Sequence, residues 1–210
     1  MRVVRAGETF HFDLNLFVPR HDEIGYFASA FAELAHEGLG PRRCRARLES
    51  VSQLDYRREP LPYIGGPLSL DLRPGSDPTT AVCVDFATAV ELKTDGGLAS
   101  TPTFDILFAR IRDRISTLRA LYGAGPLNID FKLMSERAAA IRMCRCNMRH
   151  TTTKRTSSRT GQTHAMGGFI GRADYEGDLT EFMPYLETAR WTGVGRHTVW
   201  GKGEIRVTRK

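Results

Sequence analysis

Thr101-Pro102-Thr103-Phe104-Asp105-Ile106-Leu107-Phe108-Ala109-Arg110-Ile111-Arg112-Asp113-Arg114-Ile115-Ser116-Thr117-Leu118-Arg119-Ala120-Leu121 is the stretch from which the fold can be read. Phe104, Ile106, Leu107, Phe108, Ile111, Ile115, Leu118 and Leu121 form a broad apolar stripe at helical spacing, which predicts a helix laid against a core. Upstream, Thr80 to Leu92 is apolar and rich in β-branched side chains and reads as a strand. Downstream, alanine-rich Ser135 to Met148 fits helix or strand, with strand favoured from Ala139 on. Gly168 to Tyr175 reads as a further strand, Asp178 to Glu187 as a short helix and Thr198 to Val207 as the terminal strand.

Toward the N-terminus, Gly7 to Phe17 alternates: Phe10, Phe12, Leu14 and Leu16 share one face, with His11, Asp13 and Asn15 opposite, the pattern of a half-buried strand. Asp22-Glu23 opens a helical pattern through Ile24, Phe27, Phe31, Leu34 and Ala35, and Gly38-Leu39-Gly40-Pro41 closes it. Arg43, Arg45 and Arg47 alternate with Cys44, Ala46 and Leu48 in a predicted second strand. Tyr56 to Pro78 is rich in proline and glycine, as a hairpin or irregular insertion would be. The order is strand–helix–strand–strand–helix–strand, then one more strand–helix–strand. The simplest packing is an α+β, ferredoxin-like antiparallel sheet with helices on one face, shared with RNA-recognition-motif (RRM-like) domains and with many unrelated proteins. The whole chain, 1–210, is expected to form one such unit with a C-terminal extension.

The chain has 210 residues, 41% of them apolar, enough for a sizeable core. It holds no run of about 18 apolar residues, the length that spans a bilayer. Met1-Arg2-Val3-Val4-Arg5-Ala6-Gly7 lacks the apolar stretch of a secretory signal, so a cytoplasmic protein with no membrane partner is expected. Cys44, Cys83, Cys144 and Cys146 make no pair of C-x-x-C knuckles; Cys144-x-Cys146 on a strand would place two thiols on one face. No metal or other cofactor is expected.

Net charge is +6, and its distribution is uneven. From Arg137 to Ala173 there is no acid, while Arg137, Arg142, Arg145, Arg149, Lys154, Arg155, Arg159 and Arg172 fall there with His150 and His164. The centre of that stretch, within a loop placed at 149–166, is almost wholly hydroxyl, amide and cation. Such a segment is a solvated loop or a binding loop; hydroxyls and guanidinium groups are what phosphate and sugar contacts use. Neutralising about five phosphates of a single strand would give a log–log salt slope of roughly −3.5.

A second glycine-spaced stretch, Gly193-Val194-Gly195-Arg196-His197-Thr198-Val199-Trp200-Gly201-Lys202-Gly203, carries two Gly-x-Gly pairs around a basic and aromatic segment. Two readings compete. Backbone N–H groups approach a phosphodiester chain, with Arg196, His197 and Lys202 adding charge; or the glycines serve a corner that needs positive φ.

Gly193-x-Gly195-x₅-Gly201-x-Gly203 resembles the glycine-rich motif of the repeat-associated mysterious proteins (RAMPs) of CRISPR systems, which serve antiviral defence. More narrowly, the chain resembles the later part of the CRISPR-associated endoribonucleases that cut precursor guide RNA within its repeats. The match runs in order through Gly7-Glu8-Thr9-Phe10 with Phe12, Leu14 and Leu16, Gly38-Leu39-Gly40 with Arg43, Thr101-Pro102-Thr103 and the Phe104 to Tyr122 helix. It continues through Ser157-Ser158-Arg159, Gly167-Gly168 with Gly171, and Tyr175 with Gly177-Asp178-Leu179. Many family members carry a ferredoxin-like domain, with a catalytic histidine, before the region corresponding to Gly7; that domain is expected to be absent here. Where relatives tend to show an aromatic, acid-containing segment before the paired serines, this chain has Thr151-Thr152-Thr153-Lys154-Arg155.

The resemblance implies metal-independent cleavage of CRISPR repeat RNA. The 2′-hydroxyl attacks the adjacent phosphate, leaving a cyclic phosphate and a free 5′-hydroxyl. That chemistry asks for a base, an acid and cations around the developing charge. His150, His164 and His197 are the candidates for proton transfer. Lys154, Arg155, Ser157, Ser158, Arg159, Gly193, Gly195, Arg196, Gly201, Lys202 and Gly203 are the candidates for holding RNA. His11, His21 and His36 are assigned structural roles, and Trp191 and Trp200 stack on bases or pack in the core. Partners expected are repeat RNA and other CRISPR-associated proteins. A non-catalytic RNA-binding subunit and a protein-interaction module are the competing functions.

Overall fold

The structure is a computed structural model that describes residues 5, 7–17, 23–40, 42–62, 65–123, 125–152, 154–156, 161–165 and 167–210. The chain divides into two compact units, Met1–Leu70 and Asp71–Lys210.

In the first unit, α1 (Glu23–Glu37) is the one regular element among the described residues. Its C-terminus is closed as the sequence predicts, with the Gly38 N–H donating to the Leu34 carbonyl at 3.0 Å and Leu39 bridging to Cys44. Two predicted strands do not form. Residues 8–16 and 45–53 pair in no ladder, and Phe10, Phe12 and Leu14 stand exposed. Alternation sets which side chains share a face, but a strand also needs a neighbour for its N–H and C=O groups. Phe12 meets Phe31 of α1 edge-on at 5.0 Å.

The second unit contains β1 (Ala81–Val90), β2 (Lys93–Thr94), β3 (Gly97–Leu98), α2 (Phe104–Leu121), α3 (Phe131–Ala139), β4 (Arg142–Thr151), β5 (Lys154–Thr156), β6 (Thr163–Ala165), β7 (Gly168–Glu176), α4 (Met183–Thr192), a 3-10 turn at Thr198–Trp200 and β8 (Ile205–Arg209). The main sheet has the order β4-β7-β1-β8, every pair antiparallel. Leaving aside the short ribbons and α3, this is β1-α2-β4-β7-α4-β8, the ferredoxin-like arrangement. The predicted fold is therefore present but starts at Ala81, not at Gly7. Among the described residues no helix is long and apolar enough to cross a membrane.

One face of the sheet makes the core. Val82, Val84 and Phe86 of β1 and Phe169, Ala173 and Tyr175 of β7 are buried with Phe104, Leu107, Phe108 and Ile111 of α2 and Leu186 and Ala189 of α4. Each large apolar side chain so buried contributes about 1.5–3 kcal/mol. Phe104, Phe108, Tyr175 and Phe182 interlock, with edge-on ring contacts of 4.7–5.3 Å. The Tyr175 hydroxyl donates to the Pro102 carbonyl at 2.6 Å, and burial pushes the phenol well above its ordinary pKa. Arg112 ties α2 to α3 by donating to the Phe131 carbonyl (3.1 Å) and Ser135 Oγ (2.8 Å).

The opposite face of the sheet is polar. By register, Arg145, Asn147 and Arg149 of β4, Arg172 and Asp174 of β7, Cys83 and Asp85 of β1 and Arg206 of β8 alternate with the core residues. None of these is aromatic, so the base-stacking platform of an RNA-recognition motif is not built on them. Between Met143 and Arg145 the β4 register shifts. The bulge falls at Cys144, so alternation no longer gives Cys144 and Cys146 a common face.

Candidate functional site

β4, β7, β1 and β8 all have one end where Thr151 pairs with Gly168 and Val90 with Phe169. Two segments leave the sheet there: residues 152–167, joining β4 to β7, and residues 193–204, joining α4 to β8. They contain the acid-free basic centre and the glycine-rich motif.

The basic segment is not an irregular loop. Beyond the β4–β7 ladder, β5 and β6 pair as a ribbon, with Lys154 opposite Ala165, Arg155 opposite His164 and Thr156 opposite Thr163. The backbone thus places Arg155 and His164 at one rung. Ser157, Ser158 and Arg159 lie outside the described residues. His150 is exposed near the end of β4, its ring 6.4 Å from that of Phe169 and edge-on to it.

The glycine-rich segment closes on its own chain. Gly195 has φ +80° and Gly203 φ +80°; a Cβ at the first would collide with the Glu91 carbonyl oxygen, and one at the second with that of Val194. The N–H groups of Gly193, Gly201 and Gly203 donate to the carbonyls of Ala189, Thr198 and Ala89 at 2.9, 3.1 and 3.1 Å. The donors of three of the four glycines are thus engaged within the protein, as the corner reading expects. Val194, fully buried, donates to the Gly203 carbonyl at 2.9 Å and brings the two Gly-x-Gly pairs together.

Under this loop lies a residue that sequence reading passed over. Glu91, just past β1, is only 5% exposed, and Arg196, His197 and Lys202 of the glycine-rich segment surround it. Lys202 Nζ is 3.6 Å from Oε1; Arg196 Nη1 and His197 Nε2 are each 3.7 Å from Oε2. The Glu91 carbonyl also accepts the Arg196 N–H at 3.0 Å. A signal for it existed: Glu91 interrupts an apolar strand between Val90 and Leu92, and a carboxylate so placed needs a buried counter-charge.

The three side chains differ in access. Lys202, expected on RNA, is 9% exposed and donates to the Gly167 carbonyl at 2.6 Å, fastening the loop to the foot of the basic ribbon. Arg196 is 52% exposed and reaches the surface. His197 is 18% exposed; its ring stacks on Trp200 with centroids 4.8 Å apart and planes 6° from parallel. Its backbone is left-handed, φ 64° and ψ 24°, a conformation few non-glycine residues take. Among the described residues no group of three or more His, Cys, Asp or Glu side chains is gathered as a metal site.

Fold and site define a ferredoxin-like protein with a glycine-rich loop tied to a basic ribbon. The chain belongs to the family of the CRISPR-associated endoribonuclease Cas6, whose model matches residues 84–205, from β1 to the first residue of β8. A separate model, described as an N-terminal domain, matches residues 1–65. No curated protein matches the sequence. Among solved structures, a Cas6 product complex is 18% identical with a TM-score of 0.51, covering 88% of this chain and 71% of that one. A Cas6 substrate-mimic complex is 20% identical with a TM-score of 0.49, covering 90% and 76%. Thermus thermophilus Cas6 is 16% identical with a TM-score of 0.49, covering 63% of this chain and 55% of that one. This chain thus spans little more than half the length of the Thermus thermophilus protein. At 18% identity the likeness to the product complex is one of fold.

Proposed function

We propose that the protein is an endoribonuclease that binds CRISPR precursor RNA and cuts it within the repeat, by attack of a ribose 2′-hydroxyl on the adjacent phosphate and without metal. The observation that carries the reading is the Lys202–Gly167 contact, which joins the glycine-rich loop to the basic ribbon at one end of the sheet. An RNA strand crossing that end meets Arg196 of the glycine-rich loop and the backbone ribbon that includes Lys154 and Arg155; Ser157, Ser158 and Arg159, outside the described residues, are assigned to the same RNA strand from the sequence. The glycines and Lys202 shape the loop rather than touch phosphate.

Proton transfer falls to His197, whose ring is flanked by Glu91 and Trp200. His150 or His164 serves the second proton. In-line attack needs one group to take the 2′-proton and another to protonate the 5′-oxygen, while guanidinium groups stabilise the charge on the phosphorane oxygens. The test is incubation of purified protein with repeat RNA in chelator. The expected result is one cut, leaving a 2′,3′-cyclic phosphate and a 5′-hydroxyl. His197→Ala should lower the single-turnover rate by about 10²–10⁴-fold, the usual worth of a positioned acid or base, with RNA affinity kept. Cutting that stops in chelator overturns the metal-independent chemistry. Tight binding with no cutting leaves the RNA-binding subunit as the function.

A further inference from the structure

Glu91 is placed to do more than balance charge. It grips the glycine-rich loop twice: its carbonyl takes the Arg196 N–H, and its buried carboxylate faces Arg196, His197 and Lys202. A carboxylate buried there costs free energy; its Oε1 offsets the buried Lys202, which accounts for one oxygen and not for Oε2, turned to Arg196 and His197. Its position calls for another reason.

His197 supplies that reason. A left-handed backbone at a non-glycine residue persists only where its surroundings over-determine it, and such residues cluster at functional sites. Here the surroundings are Trp200, parallel to the ring at 4.8 Å, and Glu91, whose Oε2 lies 3.7 Å from Nε2. With one ring nitrogen turned to a carboxylate, the other, Nδ1, is the one left to exchange a proton with a reacting group. A base held by a third group is the general arrangement of activated acid–base sites, and its contacts are often long before substrate binds.

Resting on the function proposed above, we infer that Glu91 is the positioning residue of this site: it fixes the ring of His197 for proton transfer and does not itself touch RNA. It also neutralises part of the positive charge of the loop. Removing the carboxylate therefore weakens cleavage while leaving binding intact or tighter. A residue needed only for folding cannot produce that split.

The experiment compares wild type, Glu91→Gln, His197→Ala and the double variant. Three quantities are read: single-turnover cleavage of the repeat RNA, the salt dependence of binding to a 20-nucleotide oligouridylate, and the thermal midpoint. Glu91→Gln keeps the volume of the side chain and is expected to cut at least about 10-fold more slowly, within the range of acid–base contributions. Its salt slope is expected to steepen by about 0.7, one newly unmasked cation on a single strand. In the His197→Ala background, Glu91→Gln is expected to cause no further loss of rate.

If His197→Ala is inactive and Glu91→Gln cuts like wild type, the inference is overturned while the proposed function stands. If His197→Ala cuts like wild type, the role of His197 falls and the inference with it. If the two rate losses multiply in the double variant, Glu91 acts elsewhere and the inference is overturned. Should Glu91→Gln fail to fold, Glu91→Asp carries the test, because it keeps the charge and draws it back by one methylene: slower cutting at unchanged affinity supports the inference, and an unchanged rate overturns it.

Discussion

At the scale of single residues, the glycines of the C-terminal loop separate into two kinds. Gly201 needs only its positive φ, since a Cβ there meets nothing within 4 Å. Gly201→Ala should cost about 1 kcal/mol, the conformational difference alone. Gly195→Ala and Gly203→Ala add a collision with a backbone carbonyl that cannot swing away. Each should cost about 2 kcal/mol or more, measured as the shift in urea midpoint at constant m-value. Asp174 makes a second residue-scale case. The Lys210 ammonium, bonded to it at 2.6 Å, holds its carboxyl below the usual carboxylate value, with Cys83 a lesser cause. A depressed folded-state pKa gives stability that is present above the unfolded value and lost as pH falls through the folded one. Wild type should therefore exceed Asp174→Asn in stability at neutral pH, and the gap should close below pH about 4, read from denaturant curves across that range.

At the scale of elements, the apolar stripe from Phe104 to Leu121 gave α2 with its observed ends, because a helix carries its hydrogen bonds within itself. Strands fared by partner. Thr80 to Leu92 and Gly168 to Tyr175 matched β1 and β7, which pair with each other. Gly7 to Phe17 had as clean an alternation and formed no ladder, since its pattern says nothing of a neighbour. The basic segment erred the other way: lacking apolar residues it read as loop, yet a ribbon continues past β4 and β7 with Thr151 and Gly168 already paired. Replacing Lys154 and Arg155 together by alanine should flatten the salt slope of oligouridylate binding by about 1.4, for two lost phosphate contacts, with no change in thermal midpoint.

At the scale of the whole molecule, the buried hydrophobic cluster lies between Val82 and Ile205, entirely in the second unit. Hydrogen exchange should follow that division. Amides of β1, β7, α2 and α4 should open only with global unfolding, and those of residues 8–16 and 45–53, which join no ladder, should exchange fastest. The site was half legible at this scale. Cations, histidines and glycines stood out as types in the chain, and the family resemblance placed them on RNA. Glu91 did not, because its role arises only when the loop folds back over the end of β1 across more than a hundred residues of sequence. Among the cations, Lys202 and Arg196 looked alike until burial separated them.

The neighbouring positions of β1 and β8 have a practical corollary. Lys210 donates its N–H to the Ala81 carbonyl at 3.1 Å, so the ferredoxin-like unit starts and finishes at a single spot on its perimeter. Its connectivity can be rewired at little entropic cost: a short linker from Lys210 to Ala81, with the chain reopened between Gly96 and Gly97 where a side chain would meet nothing, should yield a circular permutant that keeps the same core.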